Sequence, residues 1–83
     1  MLIVKEISLK DVQLCFEFDL KTISLWTKKQ WEGELRKDGI KVFGLFLSDL
    51  VIGICAIQVI LDEAQINFFA INNNFRRNGF GTY

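Results

Sequence analysis

Residues 65–83 read Gln-Ile-Asn-Phe-Phe-Ala-Ile-Asn-Asn-Asn-Phe-Arg-Arg-Asn-Gly-Phe-Gly-Thr-Tyr. The first seven form a β-type run that is apolar on both alternating faces across Phe68-Phe69-Ala70-Ile71. A strand apolar on both faces belongs inside a sheet, with a neighbour on each side. Asn72-Asn73-Asn74 then breaks the run as a turn-forming tract. Arg76-Arg77-Asn78-Gly79-Phe80-Gly81-Thr82 is basic and glycine-spaced. Glycine lacks a Cβ, so backbone N–H groups can approach a ligand closely. If a helix begins near Gly79 to Gly81, its free N–H groups and dipole face an anion. With two arginines beside it, the segment has the physics of a phosphate or pyrophosphate cradle. It is not a P-loop, because the Gly-Lys-Ser/Thr of that motif is missing. The competing reading is a glycine turn with two solvated arginines. Placement directly after an apolar strand favours the cradle, since ligand sites on sheets lie at strand ends.

Working back from residue 65, Ile40–Leu47 and Val51–Leu61 are further β-type runs. The joints Ser48-Asp49-Leu50 and Asp62-Glu63-Ala64 are short, which predicts consecutive antiparallel hairpins. Gly53 inside a strand predicts a bulge or a close backbone approach. The 65–71 run then has one neighbour in the chain. Its other neighbour would come from residues after Tyr83 or from another molecule.

The first forty residues change period. Leu2–Ile7 alternates as a short strand. Ser8 with Asp11 is a helix N-cap pattern, and Leu9, Val12, Cys15/Phe16, Leu20 and Ile23 recur near helical spacing. The expected helix is 9–23, with Phe18 off the stripe. Thr27 with Gln30 repeats the capping signature, and Trp31 and Leu35 share a face. A second helix is expected over 28–37, weakened by Gly33 and stopped by Gly39. The order β-α-α-β-β-β, followed by the start of a third helix, is α+β.

Composition narrows the function classes. A chain of 83 residues holds at most one small domain. An apolar share of 51% is too high for a disordered chain. Ten basic and ten acidic residues cancel, so no global charge draws the chain to nucleic acid or to an anionic membrane. Lys28, Lys29, Arg36, Lys37 and Lys41 interleave with Glu32, Glu34 and Asp38, which reads as a solvated helix face. No histidine is present, which excludes a Ser-His or Cys-His nucleophile within these residues and leaves no expectation of a metal site. Cys15 and Cys55 read as small core residues. The longest uncharged run, Leu50–Leu61, is 12 residues and too short to span a bilayer. With no signal-peptide block at the N-terminus, the expected location is cytoplasmic.

Arg76-x-x-Gly79-x-Gly81 resembles the Arg/Gln-x-x-Gly-x-Gly/Ala signature of GNAT acetyltransferases, and the element order resembles the first half of that fold. The stretch Ala56 to Ala64, with Phe69-Ala70-Ile71 and Phe75 to Gly81, is similar to the ribosomal-protein-alanine N-acetyltransferase (RimI-type) subfamily, as is the leader at Trp26-Thr27-Lys28-Lys29. The resemblance covers the whole chain and is most specific over 54–82. It implies that residues 1–83 form one partial GNAT domain, interrupted inside the acetyl-CoA motif.

The resemblance also implies roles. Backbone groups of Phe69, Ala70 and Ile71 would pair with the pantetheine arm of acetyl-CoA like an added strand. Arg76 opens the motif, and Arg77, Asn78, Gly79, Phe80, Gly81 and Thr82 would wrap the pyrophosphate. The acceptor would be the N-terminal alanine of a small-subunit ribosomal protein. The family's Glu base and Tyr acid fall downstream of the glycine motif, so no catalytic residue is assigned and the 83 residues alone are expected to be inactive. Tyr83 is too early to be the acid. Glu63 reads as a solvated turn carboxylate, and Trp26 and Trp31 as core more readily than as a substrate groove. Two alternatives stay open: a GNAT enzyme acting on a small-molecule amine, and a non-catalytic module that binds coenzyme A or a partner.

Overall fold

The computed structural model describes residues 1–72. The sheet order is β1 (Leu2–Glu6), β2 (Ile40–Leu47), β3 (Leu50–Ile60) and β4 (Glu63–Ile71), every neighbouring pair antiparallel. Between β1 and β2 lie a short 3-10 turn (Leu9–Asp11), α1 (Val12–Thr22) and α2 (Lys28–Arg36). The expected order is therefore met over the described residues. The start of the third helix falls outside them.

Both helices lie on one face of the sheet. Their core joins Cys15, Phe18 and Trp31 to Val42, Ile54, Ala56, Phe68 and Ala70, all buried. Each large side chain withdrawn from water this way contributes about 1.5–3 kcal/mol. The face that α1 buries is Cys15, Phe18 and Asp19. This corrects the expected stripe: Leu20 and Ile23 are 53% and 46% exposed, while Phe18 is core. Phe18 and Asp19 sit three and four residues after Cys15, one helical turn on the same side.

The two capping signatures behave differently. Thr27 and Gln30 form a complete capping box: the Gln30 N–H donates to Thr27 Oγ1 (3.2 Å) and the Thr27 N–H donates to Gln30 Oε1 (2.8 Å). Ser8 caps nothing with its side chain and starts the 3-10 turn, so α1 begins later than expected, at Val12. α2 ends at Arg36, and Lys37 is already extended. Gly39, at φ +83°, serves the turn into β2 instead of the helix end, and its carbonyl accepts from the Val59 N–H at 2.9 Å.

The hairpin turns are tighter than the sequence suggests. Pairing continues to Leu47↔Leu50 and Ile60↔Glu63, which leaves only Ser48-Asp49 and Leu61-Asp62 as turns. Ser48 and Leu61 both take φ of 56° to close them. Glu63 is thus the first residue of β4, exposed, and not a turn residue. Gly53 fulfils the first expectation, and what crowds it is a side chain, not a backbone. The register against β2 shifts beside it, between Leu45 and Phe46, and a Cβ there would stand 2.6 Å from Ile71 Cδ1.

Candidate cofactor-binding site

The strand expected to carry the cofactor is β4, at the edge of the four-stranded sheet among the described residues. Phe69, Ala70 and Ile71 pair with Cys55, Ile54 and Gly53 on one side. Among the described residues no strand pairs with their other side, which is the geometry an extended, amide-bearing chain requires. Four residues upstream of Ile71, Asn67 is the extra residue of a bulge: Ala56 faces Phe68, but Ile57 faces Ile66. A bulge bends and twists its strand, so the edge beyond it diverges from the direction of 63–66. The ladder runs one residue past β4, where the Asn72 N–H donates to Ile52 O at 2.8 Å.

The expectation that this strand is buried on both faces needs correction at one position. Phe68, Ala70 and Ile71 are buried, but Phe69 is 48% exposed. No layer covers the far face of the sheet among the described residues. That face instead holds an open apolar depression of about 440 Å³, lined by Phe69, Ile71, Cys55, Phe43, Leu45 and Val4 among others. Burial pushes the Cys55 thiol up, so it is a neutral wall here and not a nucleophile. Cys15 and Cys55 are both free.

Arg76, Arg77, Asn78, Gly79, Phe80, Gly81 and Thr82 lie outside the described residues. Among the described residues, no group of His, Cys, Asp or Glu is arranged to hold a metal, and no helix is long and apolar enough to cross a membrane.

Trp31 is core, as the simpler reading had it, and Trp26 is half-buried and packs against that core. Trp31 is fully buried. The two indoles meet edge to face at 4.8 Å, and both pack on Phe68 of β4, at 5.3 Å and 4.8 Å. What anchors them was not foreseen. Asp19 is fully buried, and its carboxylate accepts from the Leu25 N–H, the Trp26 N–H and the Trp31 indole Nε1, each at 2.8 Å. Three donors satisfy a carboxylate that burial would otherwise penalise. The one available signal was the pair of tryptophans, since a buried indole N–H needs an acceptor. Lys28, Lys29, Arg36, Lys37 and Lys41 are exposed; Lys37 pairs with the largely withdrawn Glu34, and Lys41 with the exposed Glu6.

Two helices on one face of a four-stranded antiparallel sheet, with a bulge in its edge strand among the described residues, define a fold class, and comparison with solved structures gives the same class. The chain has the fold of GNAT acetyltransferases, over its N-terminal half. Within that class it is similar to the ribosomal-protein-S18-alanine N-acetyltransferase of Escherichia coli, with 19% identity and a TM-score of 0.85 over 99% of this chain and 53% of that one. It is also similar to the ribosomal-protein-alanine N-acetyltransferase of Brucella melitensis biovar Abortus 2308 (12% identity, TM-score 0.72, 99% of this chain and 64% of that one). A third similar structure is the PaiA N-acetyltransferase of Thermoplasma acidophilum in complex with coenzyme A (12% identity, TM-score 0.64, 99% and 65%). The chain thus spans between about half and two thirds of the length of these proteins. No family model matches the chain, and no curated protein matches it.

Proposed function

We propose that the chain is the N-terminal part of a GNAT N-acetyltransferase that moves acetyl from acetyl-CoA to the N-terminal amine of a protein, with the N-terminal alanine of a small-subunit ribosomal protein as acceptor. The observation that carries this reading is the open edge of β4 at Phe69-Ala70-Ile71, set after a bulge and leading toward the glycine-spaced segment 76–82. The edge fits the cosubstrate. It is an unpaired strand margin among the described residues, beside an apolar depression and without a charged side chain to desolvate.

Acetyl-CoA supplies an activated acetyl thioester at that edge. The chain's own contribution is to hold the pantetheine amides along residues 69–71, and the diphosphate at Arg76, Arg77, Asn78, Gly79, Phe80, Gly81 and Thr82. Holding two reactants in line removes much of the entropic barrier of a bimolecular transfer. The acceptor nitrogen forms the new N–C bond, the C–S bond breaks, the nitrogen gives up one proton and the departing sulfur takes one. No described residue is assigned as the base or the acid of those proton transfers.

The test is acetyl transfer by the native gene product from isotope-labelled acetyl-CoA, read by mass spectrometry. The acceptors are a peptide with N-terminal alanine and a polyamine. Label on the peptide α-amine supports the reading. Label on the polyamine alone moves the acceptor to small amines, and label on neither removes the enzymatic reading.

A further inference from the structure

The edge of the sheet opposite β4 is β1, and it carries none of the usual protection. Edge strands are blunted by proline, by bulges or by an outward lysine. The chain has no proline, and the register of β1 against β2 runs unbroken from Leu2↔Leu47 to Glu6↔Phe43. Its apolar residues Leu2, Ile3 and Val4 are 44%, 39% and 66% exposed. The strand's one lysine, Lys5, holds its ammonium 5.3 Å from the ring centroid of Phe46, back over the sheet. We propose that β1 is a self-association edge, through which two copies of the chain pair antiparallel about a two-fold axis at Val4.

The backbone hydrogen bonds fix which residues are available. The Ile7 N–H donates to Val42 O, and the Ser48 N–H donates to Met1 O. In an antiparallel pair the bonded residues alternate, so Ile3 and Lys5 also turn their backbone groups to β2. Leu2, Val4 and Glu6 turn theirs outward, where no strand meets them among the described residues.

Those three residues are self-complementary. With the axis at Val4, Val4 faces Val4, and Leu2 of each copy faces Glu6 of the other. Every outward N–H and C=O of the three then has a partner, and no like charges stand opposite. Moving the axis to Ile3 leaves Glu6 unpaired. Moving it to Lys5 or Glu6 sets two ammoniums or two carboxylates face to face, which is destabilising. The apolar side chains add to the same register. Leu2 and Val4 line the open depression on the far face of the sheet, so the depressions of the two copies meet across the axis and Val4 leaves water. Glu6 keeps its Lys41 partner, 3.6 Å away. A closed two-fold contact of this kind uses one patch twice and ends at the dimer. Pairing one short strand is a small interface, so the expected affinity is micromolar.

The inference does not rest on the acetyltransferase reading. It concerns the opposite edge from the one assigned to acetyl-CoA, and either can fail alone. Sedimentation of the native gene product tests it, with circular dichroism as the check on folding. The parent should show a concentration-dependent dimer. Val4→Pro removes an N–H that the chain's own sheet does not use, a position where proline is tolerated, and Val4→Lys places two cations on the axis. Each should weaken the dimer by about tenfold or more. Val4→Cys tests the register without depending on those variants. Facing residues of a hydrogen-bonded pair have Cα atoms about 5.5 Å apart, within disulfide reach. Mild oxidation should therefore cross-link Val4→Cys but not Glu6→Cys or the parent, whose Cys15 and Cys55 are free. A parent that is monomeric throughout the micromolar range overturns the proposal. So does an unchanged dimer in Val4→Pro and Val4→Lys, or cross-linking of Glu6→Cys as readily as Val4→Cys. A dimer lost in Phe69→Lys but kept in Val4→Pro also overturns it, by moving the contact to the far face.

Discussion

At Asp19 a single carboxylate joins the end of α1, the joint at Leu25 and Trp26, and the core indole of Trp31. Removing it leaves three N–H donors without their acceptor, the Trp31 indole N–H in a buried site and the Leu25 and Trp26 N–H groups in part-buried ones, and an orphaned buried donor costs about 1–3 kcal/mol. Asp19→Ala should therefore lower unfolding stability by about 3 kcal/mol or more in urea titrations, near the loss seen when buried charged networks are broken. Asp19 could not be read from the sequence: at one residue's scale, a carboxylate inside an apolar helix looks the same whether it faces solvent or three donors. Cys15 was legible, being a small apolar-like residue on a helical repeat. Burial, assisted by the nearby Asp11 carboxylate, pushes its thiol up from the ordinary 9.0 to about 12. The unfolded chain therefore releases this proton first. The stability contributed by Cys15 is complete below pH 9.0 and is lost as pH rises toward about 12. Urea midpoints above pH 9.0 should fall more steeply in the parent than in Cys15→Ala.

The elements show why capping was half legible. Ser8/Asp11 and Thr27/Gln30 carry equivalent signatures, but only the second pair closes its box. Glutamine reaches back to the Thr27 N–H, whereas the chain after Ser8 tightens into a 3-10 turn. Thr27→Ala should cost about 1 kcal/mol, measured by chemical denaturation, and Ser8→Ala much less. The hairpin ends were misjudged by a residue or two because polar and small residues at 48–50 and 62–64 mark a turn without saying where the ladder stops. Leu61 shows the consequence. It is 93% exposed and held at φ 56°, a conformation that costs an L-residue about 1–2 kcal/mol. Leu61→Gly should raise the melting temperature, corresponding to up to about 1 kcal/mol after the entropy of the unfolded chain is counted.

Over the whole molecule, the alternation of periods gave the element order and the hairpin topology, and the aromatic residues marked the core. The position of β4 in the sheet was not legible in the same way. Two apolar faces at 68–71 implied cover on both sides, but among the described residues only the helical side is covered, and Phe69 faces the open depression. An apolar sheet face next to an uncapped strand edge invites association. The purified 83-residue chain should accordingly bind a hydrophobic dye and sediment as more than a monomer, and Phe69→Lys should reduce both effects.

The central claim is that the edge of β4 and the glycine-spaced segment after it form an acetyl-CoA site. Calorimetric titration of acetyl-CoA into the native gene product, beside Gly79→Val and Gly81→Val, tests it most directly. The account predicts saturable binding by the parent and a loss of about tenfold or more in each variant, because a branched side chain blocks the approach of backbone N–H groups to the diphosphate. No binding by the parent, or unchanged affinity in both variants, would contradict it.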